Sequence, residues 1–242
     1  MQKAKTELII ALDYAADGPV RNLLTQLEGL PVIYKVGLEL FIAKGPDFIK
    51  ELIQKKTRIF LDLKLHDIPH TVAKAVKQVS ELGVEMTTLH ITGGKKMVQA
   101  AQNELAADCL VKLLGVTVLT SFDDQGWGEV LSAATNQSLP KVNTGSSALA
   151  LASQAAEWKM GGIVCSAHEL PSIRAKNPGL YAVVPGIRPS GVAAGDQSRI
   201  MTPQDAVSAG ASALVIGRPI TESADPRKAA EQILREIASA EK

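Results

Sequence analysis

Short apolar runs alternate with longer amphipathic segments from one end of the chain to the other. The runs are ELIIALD (7–13), VIYKVG (32–37), RIFLDLK (58–64), VEMTTLHI (84–91), KLLGVTVL (112–119), GGIVCSA (161–167), YAVVPGI (181–187) and SALVIG (212–217). Each has the length of a strand and is bounded by polar or turn residues, so each predicts a β-strand. The segments between them repeat with a helical period. In TVAKAVKQVSELG, Val72, Ala75, Val76 and Val79 fall on one face, and Gly83 suits a C-terminal cap. In SADPRKAAEQILREIASA, Asp225 is placed to cap a helix with Pro226 in its first turn, and Ala230, Ile233, Leu234 and Ile237 share one side. Strand and helix alternate without a compositional break or linker, which predicts a single (β/α)8 TIM barrel domain over residues 1–242 rather than an open doubly wound sheet.

The pattern carries one anomaly. FLDLKLHDIPHTV (60–72) reads as a buried strand, yet Asp62, Lys64 and Asp67 stand at its end, just before a proline opens a helix. Side chains alternate along a strand, so Phe60, Asp62 and Lys64 share one face while Leu61, Leu63 and Leu65 share the other. In a barrel the leucines meet the helices, and the charges face inward toward the C-terminal mouth, where barrel enzymes keep their chemistry. The first two strands repeat the arrangement. Leu8, Ile10 and Leu12 form one face with Asp13 ending the other, and Lys35 lies opposite Val32, Tyr34 and Val36. Asp13, Lys35, Asp62 and Lys64 therefore converge on one mouth, either as a catalytic array or as a structural ion-pair network. Asp67 also reads as a helix N-cap before Pro69. His66 and His70 straddle a strand-to-helix turn instead of sharing a helical face, so no metal site is expected there.

Net charge changes the picture little. With 26 basic and 25 acidic residues the chain carries +1, which leaves no overall field to attract nucleic acid or an anionic membrane. An anion must be held by a local site. VIGRPIT places Gly217 and Arg218 just past the eighth strand, where barrels often bind phosphate. The loop PGIRPSGVAAGDQSRIMTP (185–203) adds Arg188, Gln197 and Arg199 and has the length and composition of a lid that closes on an anion. Cys109 and Cys165 are far apart and in no metal-binding spacing, and no apolar run approaches membrane-spanning length. A cytoplasmic protein is expected.

Taken in order, LD with Asp13, YKVG with Lys35, DLKLHDIPHTV, HITGG, VLTS, PGIRP, DQ and IGRPI cover nearly the whole chain. With these motifs the sequence resembles the orotidine 5'-phosphate decarboxylases, which make UMP. The resemblance implies that orotidine 5'-monophosphate is converted to UMP without a cofactor or metal, with Lys64, Asp62, Asp67 and Lys35 as the charge array and Lys64 donating a proton to C6. It further implies that Asp13 and Lys35 contact the ribose and that Thr120 and Ser121 lie by the pyrimidine. Pro185, Arg188, Gln197, Gly217 and Arg218 would line the phosphate end. Asp67 and Thr71 would reach the partner's site in a homodimer. The family pattern often has Asn after the proline, where this chain has His70. Three rivals stay open. One is a magnesium-dependent hexulose-phosphate synthase or keto-gulonate-phosphate decarboxylase sharing D-x-K-x-x-D, the second a nucleotide-binding scaffold, and the third a Schiff-base aldolase, whose neutral lysine two flanking carboxylates would oppose.

Overall fold

The eight apolar runs form parallel strands that close into a barrel in sequence order. They are β1 Glu7–Ala11, β2 Val32–Val36, β3 Ile59–Leu65, β4 Met86–His90, β5 Lys112–Val116, β6 Gly162–Val164, β7 Ala182–Val184 and β8 Ala213–Ile216. The structure is a computed structural model and describes residues 6–106, 108–136, 142–189 and 201–241. Helices α1 Asp17–Gln26, α2 Leu38–Gln54, α3 Pro69–Glu81 and α4 Gly94–Asn103 follow the first four strands. Two helices, α5 Asp124–Thr135 and α6 Thr144–Glu157, follow β5. The circuit then continues through α7 Leu170–Lys176, α8 Pro203–Ser208, α9 Arg218–Thr221 and α10 Pro226–Ala240. Among the described residues no helix is long and apolar enough to cross a membrane.

The two faces of the strands build two cores. Leu8, Ile10, Leu12, Val32, Tyr34 and Val36 join the large cluster between strands and helices, as their alternation predicts. The residues between them point inward, where Ile9, Ala11, Ile33, Phe60, Met86 and Leu114 pack with partners from β7 and β8 into a separate apolar plug. That plug fills the middle of the barrel, so polar groups gather at its two ends, Glu7, Arg58 and Glu85 at the N-terminal one, and barrel enzymes keep their chemistry at the C-terminal one.

The strands are shorter than the apolar runs because burial outlasts the ladder. Leu12 lies beyond β1 and is still only 1 % exposed. In α3 the buried face is Val72, Ala73, Val76 and Val79, so Ala73 takes the place expected of Ala75, which is half-buried. Gly83 follows the helix at φ 82, the left-handed conformation its capping role requires. Asp225 caps α10 as expected, its carboxylate accepting the Lys228 N–H at 2.9 Å. The cap of α3 is different from the one the sequence suggests. Ile68 occupies that position without a side-chain bond, and Asp67 Oδ1 accepts from the adjacent Ile68 N–H at 2.6 Å.

Strand β3 departs from regular alternation. Its pairing with β4 runs Phe60↔Met86 and Leu61↔Thr87, then resumes at Leu65↔Leu89. Two extra residues are therefore accommodated on β3, and Lys64 adopts φ 50, a left-handed conformation uncommon outside glycine. Leu63 and Leu65 still pack toward the helices, so the expected faces are kept by a bulge and not by simple alternation.

Candidate active site

A cavity of about 460 Å³ opens at the C-terminal ends of the strands, floored by Phe60 and Val215 of the interior plug. This is within the usual range for a small-molecule site. A larger hollow of about 550 Å³ lies at the opposite end of the barrel, among Arg21, Tyr34, Lys55 and Arg58. Its two arginines are already bonded to carboxylates, Arg21 to Asp17 and Glu51, Arg58 to Glu7 and Glu85. The smaller cavity is the one in which the predicted charges converge.

At its centre Lys64 Nζ donates to Asp62 Oδ2 at 2.7 Å. The Asp62 side chain is 10 % exposed and that of Lys64 33 %, so the ion pair is shielded on the carboxylate side and open toward the cavity on the other. Beside it Lys35 Nζ lies 3.2 Å from Asp13 Oδ1. Across the mouth Arg188 and Arg218 line the same cavity together with Pro185 and Gly217. Arg188 is buried, and its guanidinium donates to the Ile187 carbonyl at 3.0 Å, which fixes its direction. Burial first, and then the like charge of Arg218, hold the Arg188 guanidinium below its ordinary value, with Glu222 opposing. Two cations in one partly desolvated corner form a ready seat for an anion. The cavity thus joins an ammonium poised on a carboxylate to a separate cationic pocket.

The sequence model of the orotidine 5'-phosphate decarboxylase / HUMPS family matches residues 6–233. The chain belongs to this family. Among its relatives is an orotidine 5'-phosphate decarboxylase of Pseudomonas entomophila, 43 % identical over 239 residues, spanning 98 % of this chain and 99 % of the relative. One from Legionella pneumophila is 42 % identical over 234 residues, spanning 96 % and 99 %. A crystal structure of orotidine 5'-phosphate decarboxylase from Lactobacillus acidophilus superimposes with a TM-score of 0.81 at 38 % identity, covering 96 % of this chain and 99 % of that one.

Most of the residues singled out by the family motifs meet in the cavity. Asp13, Lys35, Asp62, Lys64 and Thr120 line it on one side, and Pro185, Arg188, Gly217 and Arg218 on the other. Ser121 does not line it and is exposed in the turn after Thr120. Asp67 and Thr71 also stay outside, exposed around the first turn of α3. Gln197, Arg199 and most of the long loop expected to act as a lid lie outside the described residues. His66 and His70 do not come together as a metal pair. His66 packs on His90 with ring centroids 5.4 Å apart, and His70 is exposed on α3. Among the described residues there is no group of His, Cys, Asp or Glu arranged to hold a metal ion.

Several participants escaped the motifs. Tyr14 lines the cavity and donates to the Thr221 carbonyl at 3.0 Å, tying the loop after β1 to α9 beside Arg218. Its position directly after Asp13 was the available signal. Glu222, four residues beyond Arg218, sets an acid among the cations. Thr88 is fully buried behind Asp62 and bonds its carboxylate. The signal for it was a pair of threonines in the otherwise apolar run VEMTTLHI.

Proposed function

We infer that this chain, as a single (β/α)8 domain, decarboxylates orotidine 5'-monophosphate to UMP and carbon dioxide without a cofactor, in pyrimidine nucleotide synthesis in the cytoplasm. The observation that carries this reading is the Lys64–Asp62 ion pair at 2.7 Å, in one cavity with Arg188 and Arg218. The names of the relatives agree with it. Both cysteines are free thiols, which suits a reducing compartment.

The chemistry explains the residue types. When the C6–carboxylate bond breaks, its electron pair stays on C6 in the plane of the ring, where resonance cannot spread it. A fixed positive charge and a nearby proton are then the available means of stabilisation. In this reading the Lys64 ammonium supplies both, opposing the charge as it develops and passing one Nζ proton to C6, after which water reprotonates the amine. Asp62 holds the ammonium in position before substrate arrives. Asp13 and Lys35 take the ribose hydroxyls, and Thr120 faces the pyrimidine. Arg188 and Arg218, with Pro185, Gly217 and Gln197, take the phosphate. Binding energy at that remote end can serve the chemical step.

Asp67 and Thr71 complete the array from the partner in a homodimer. Their exposure on the rim, outside their own chain's cavity, supports this assignment. So do the apolar side chains at the same end of the barrel, Leu38, Ile42 and Ile68, which are 50 %, 79 % and 65 % exposed.

The test is purified protein with orotidine 5'-monophosphate in excess EDTA, followed by ultraviolet absorbance. Formation of UMP is expected. If UMP did not form, and a hexulose phosphate turned over only when magnesium was restored, the chain would belong to the other branch of its family.

A further inference from the structure

We propose that Thr88 is a positioning residue that fixes the Asp62–Lys64 pair, and that its hydroxyl is required for the turnover rate. The proposal rests on the decarboxylase reading. Thr88 pairs with Leu114 of β5, a member of the interior plug, so its side chain points into the barrel. Its neighbour Thr87 pairs with Leu61 and Leu113, both in the outer cluster, and points away. Thr88 is 0 % exposed, so its hydroxyl has only protein partners to satisfy it.

Both partners belong to the candidate catalytic pair. Thr88 Oγ1 donates to Asp62 Oδ1 at 2.8 Å and accepts from the Lys64 backbone N–H at 2.8 Å. A hydroxyl has one proton to give; a carboxylate can only accept and an N–H can only donate, so both directions are fixed. Asp62 then presents its other oxygen, Oδ2, to Lys64 Nζ at 2.7 Å. The result is a closed ring of three hydrogen bonds through Asp62, Thr88 and both ends of Lys64.

The ring sits where β3 breaks its register with β4 and where Lys64 has φ 50. In that break the Thr88 oxygen serves as the acceptor for the Lys64 amide. One atom therefore sets the rotamer of the carboxylate and holds the backbone that carries the ammonium. Without it Asp62 can rotate and Lys64 loses the anchor for its left-handed turn, while the phosphate corner across the cavity is untouched. The loss should fall on kcat and spare nucleotide binding.

The experiment compares wild type with Thr88→Val, which keeps the shape, and Thr88→Ser, which keeps the hydroxyl. Thr88→Val is expected to lose about tenfold to a hundredfold in kcat, the scale of a misplaced catalytic group, with UMP affinity within about threefold of wild type. Thr88→Ser should return to within about threefold of wild-type kcat. Hydrogen exchange at the Lys64 amide should accelerate in Thr88→Val and not in Thr88→Ser, a readout independent of any substrate. If wild type makes no UMP, the decarboxylase reading fails; the exchange data then decide the positioning claim alone. Wild-type kcat in Thr88→Val, unchanged exchange there, or equal losses in Val and Ser would overturn the proposal. If the valine variant does not fold, Thr88→Ala against Thr88→Ser carries the same comparison, since both lack the methyl and differ only in the hydroxyl.

Discussion

Replacing Arg218 by alanine isolates the phosphate end of the reading from its chemistry. Arg218 lines the cavity beside Arg188, and its charge helps hold the Arg188 guanidinium below its ordinary value. A hydrogen bond to a charged group contributes about 1.5–3 kcal/mol, and each ~1.4 kcal/mol is a factor of ten, so the full loss is roughly 10- to 150-fold in Kd for UMP. Two features of the structure place the expected value near the lower end. Arg218 is exposed, so solvent and salt screen its field. Arg188 is only 6 % exposed and oriented by the Ile187 carbonyl, so it stays in place to hold the phosphate. The account therefore predicts a loss of about ten- to thirtyfold for UMP, shrinking as salt is raised, by titration calorimetry. Uridine, which has no phosphate, should bind wild type and variant alike. Equal weakening of UMP and uridine, or unchanged UMP affinity, would refute the assignment of Arg218 to the phosphate.

Two further expectations test other parts of the account. Burial first, and then the charges of His66 and Lys64, hold the His90 imidazole below its ordinary value of about 6.5, with Asp62 opposing. The unfolded chain thus takes up this proton at higher pH than the folded one, so His90 contributes stability above about pH 6.5 that is lost as pH falls below it. Melting temperature should drop more steeply from pH 7 to pH 5 in wild type than in His90→Gln, and parallel curves would contradict the sign. If Asp67 serves the partner's site, Asp67→Ala and Lys64→Ala are each inactive alone, but mixing them at equal concentration lets hybrid dimers form with one complete site. Recovery of about a quarter of wild-type activity is expected from random reassortment, and no recovery after subunit exchange would place Asp67 in its own chain's site.

The barrel was legible because its information is periodic. Parity along β1 and β2 assigned Leu8, Ile10, Val32 and Tyr34 to the helix side, and they lie there. What parity could not supply was anything set by a neighbouring strand. The bulge in β3 exists only relative to β4, so the left-handed Lys64 and its anchor on Thr88 had no trace in FLDLKL itself. Likewise, two adjacent threonines in VEMTTLHI leave open which of them faces inward until β5 fixes the register. Asp67 matched a capping pattern, but capping depends on where the first helical turn closes, and here it closes on Ile68. The charged mouth was readable as a set of residues, whereas the hydrogen bonds that orient it were not.

The central claim is that the ammonium held by Asp62 meets the charge left on C6, and removing that ammonium tests it most directly. Single-turnover rate and UMP affinity should be measured on Lys64→Ala beside wild type. The account predicts that conversion of orotidine 5'-monophosphate falls by at least about a thousandfold, through loss of both the proton donor and the charge stabilisation, while UMP still binds through Arg188 and Arg218. Turnover within about tenfold of wild type would be smaller than either effect alone and would contradict it.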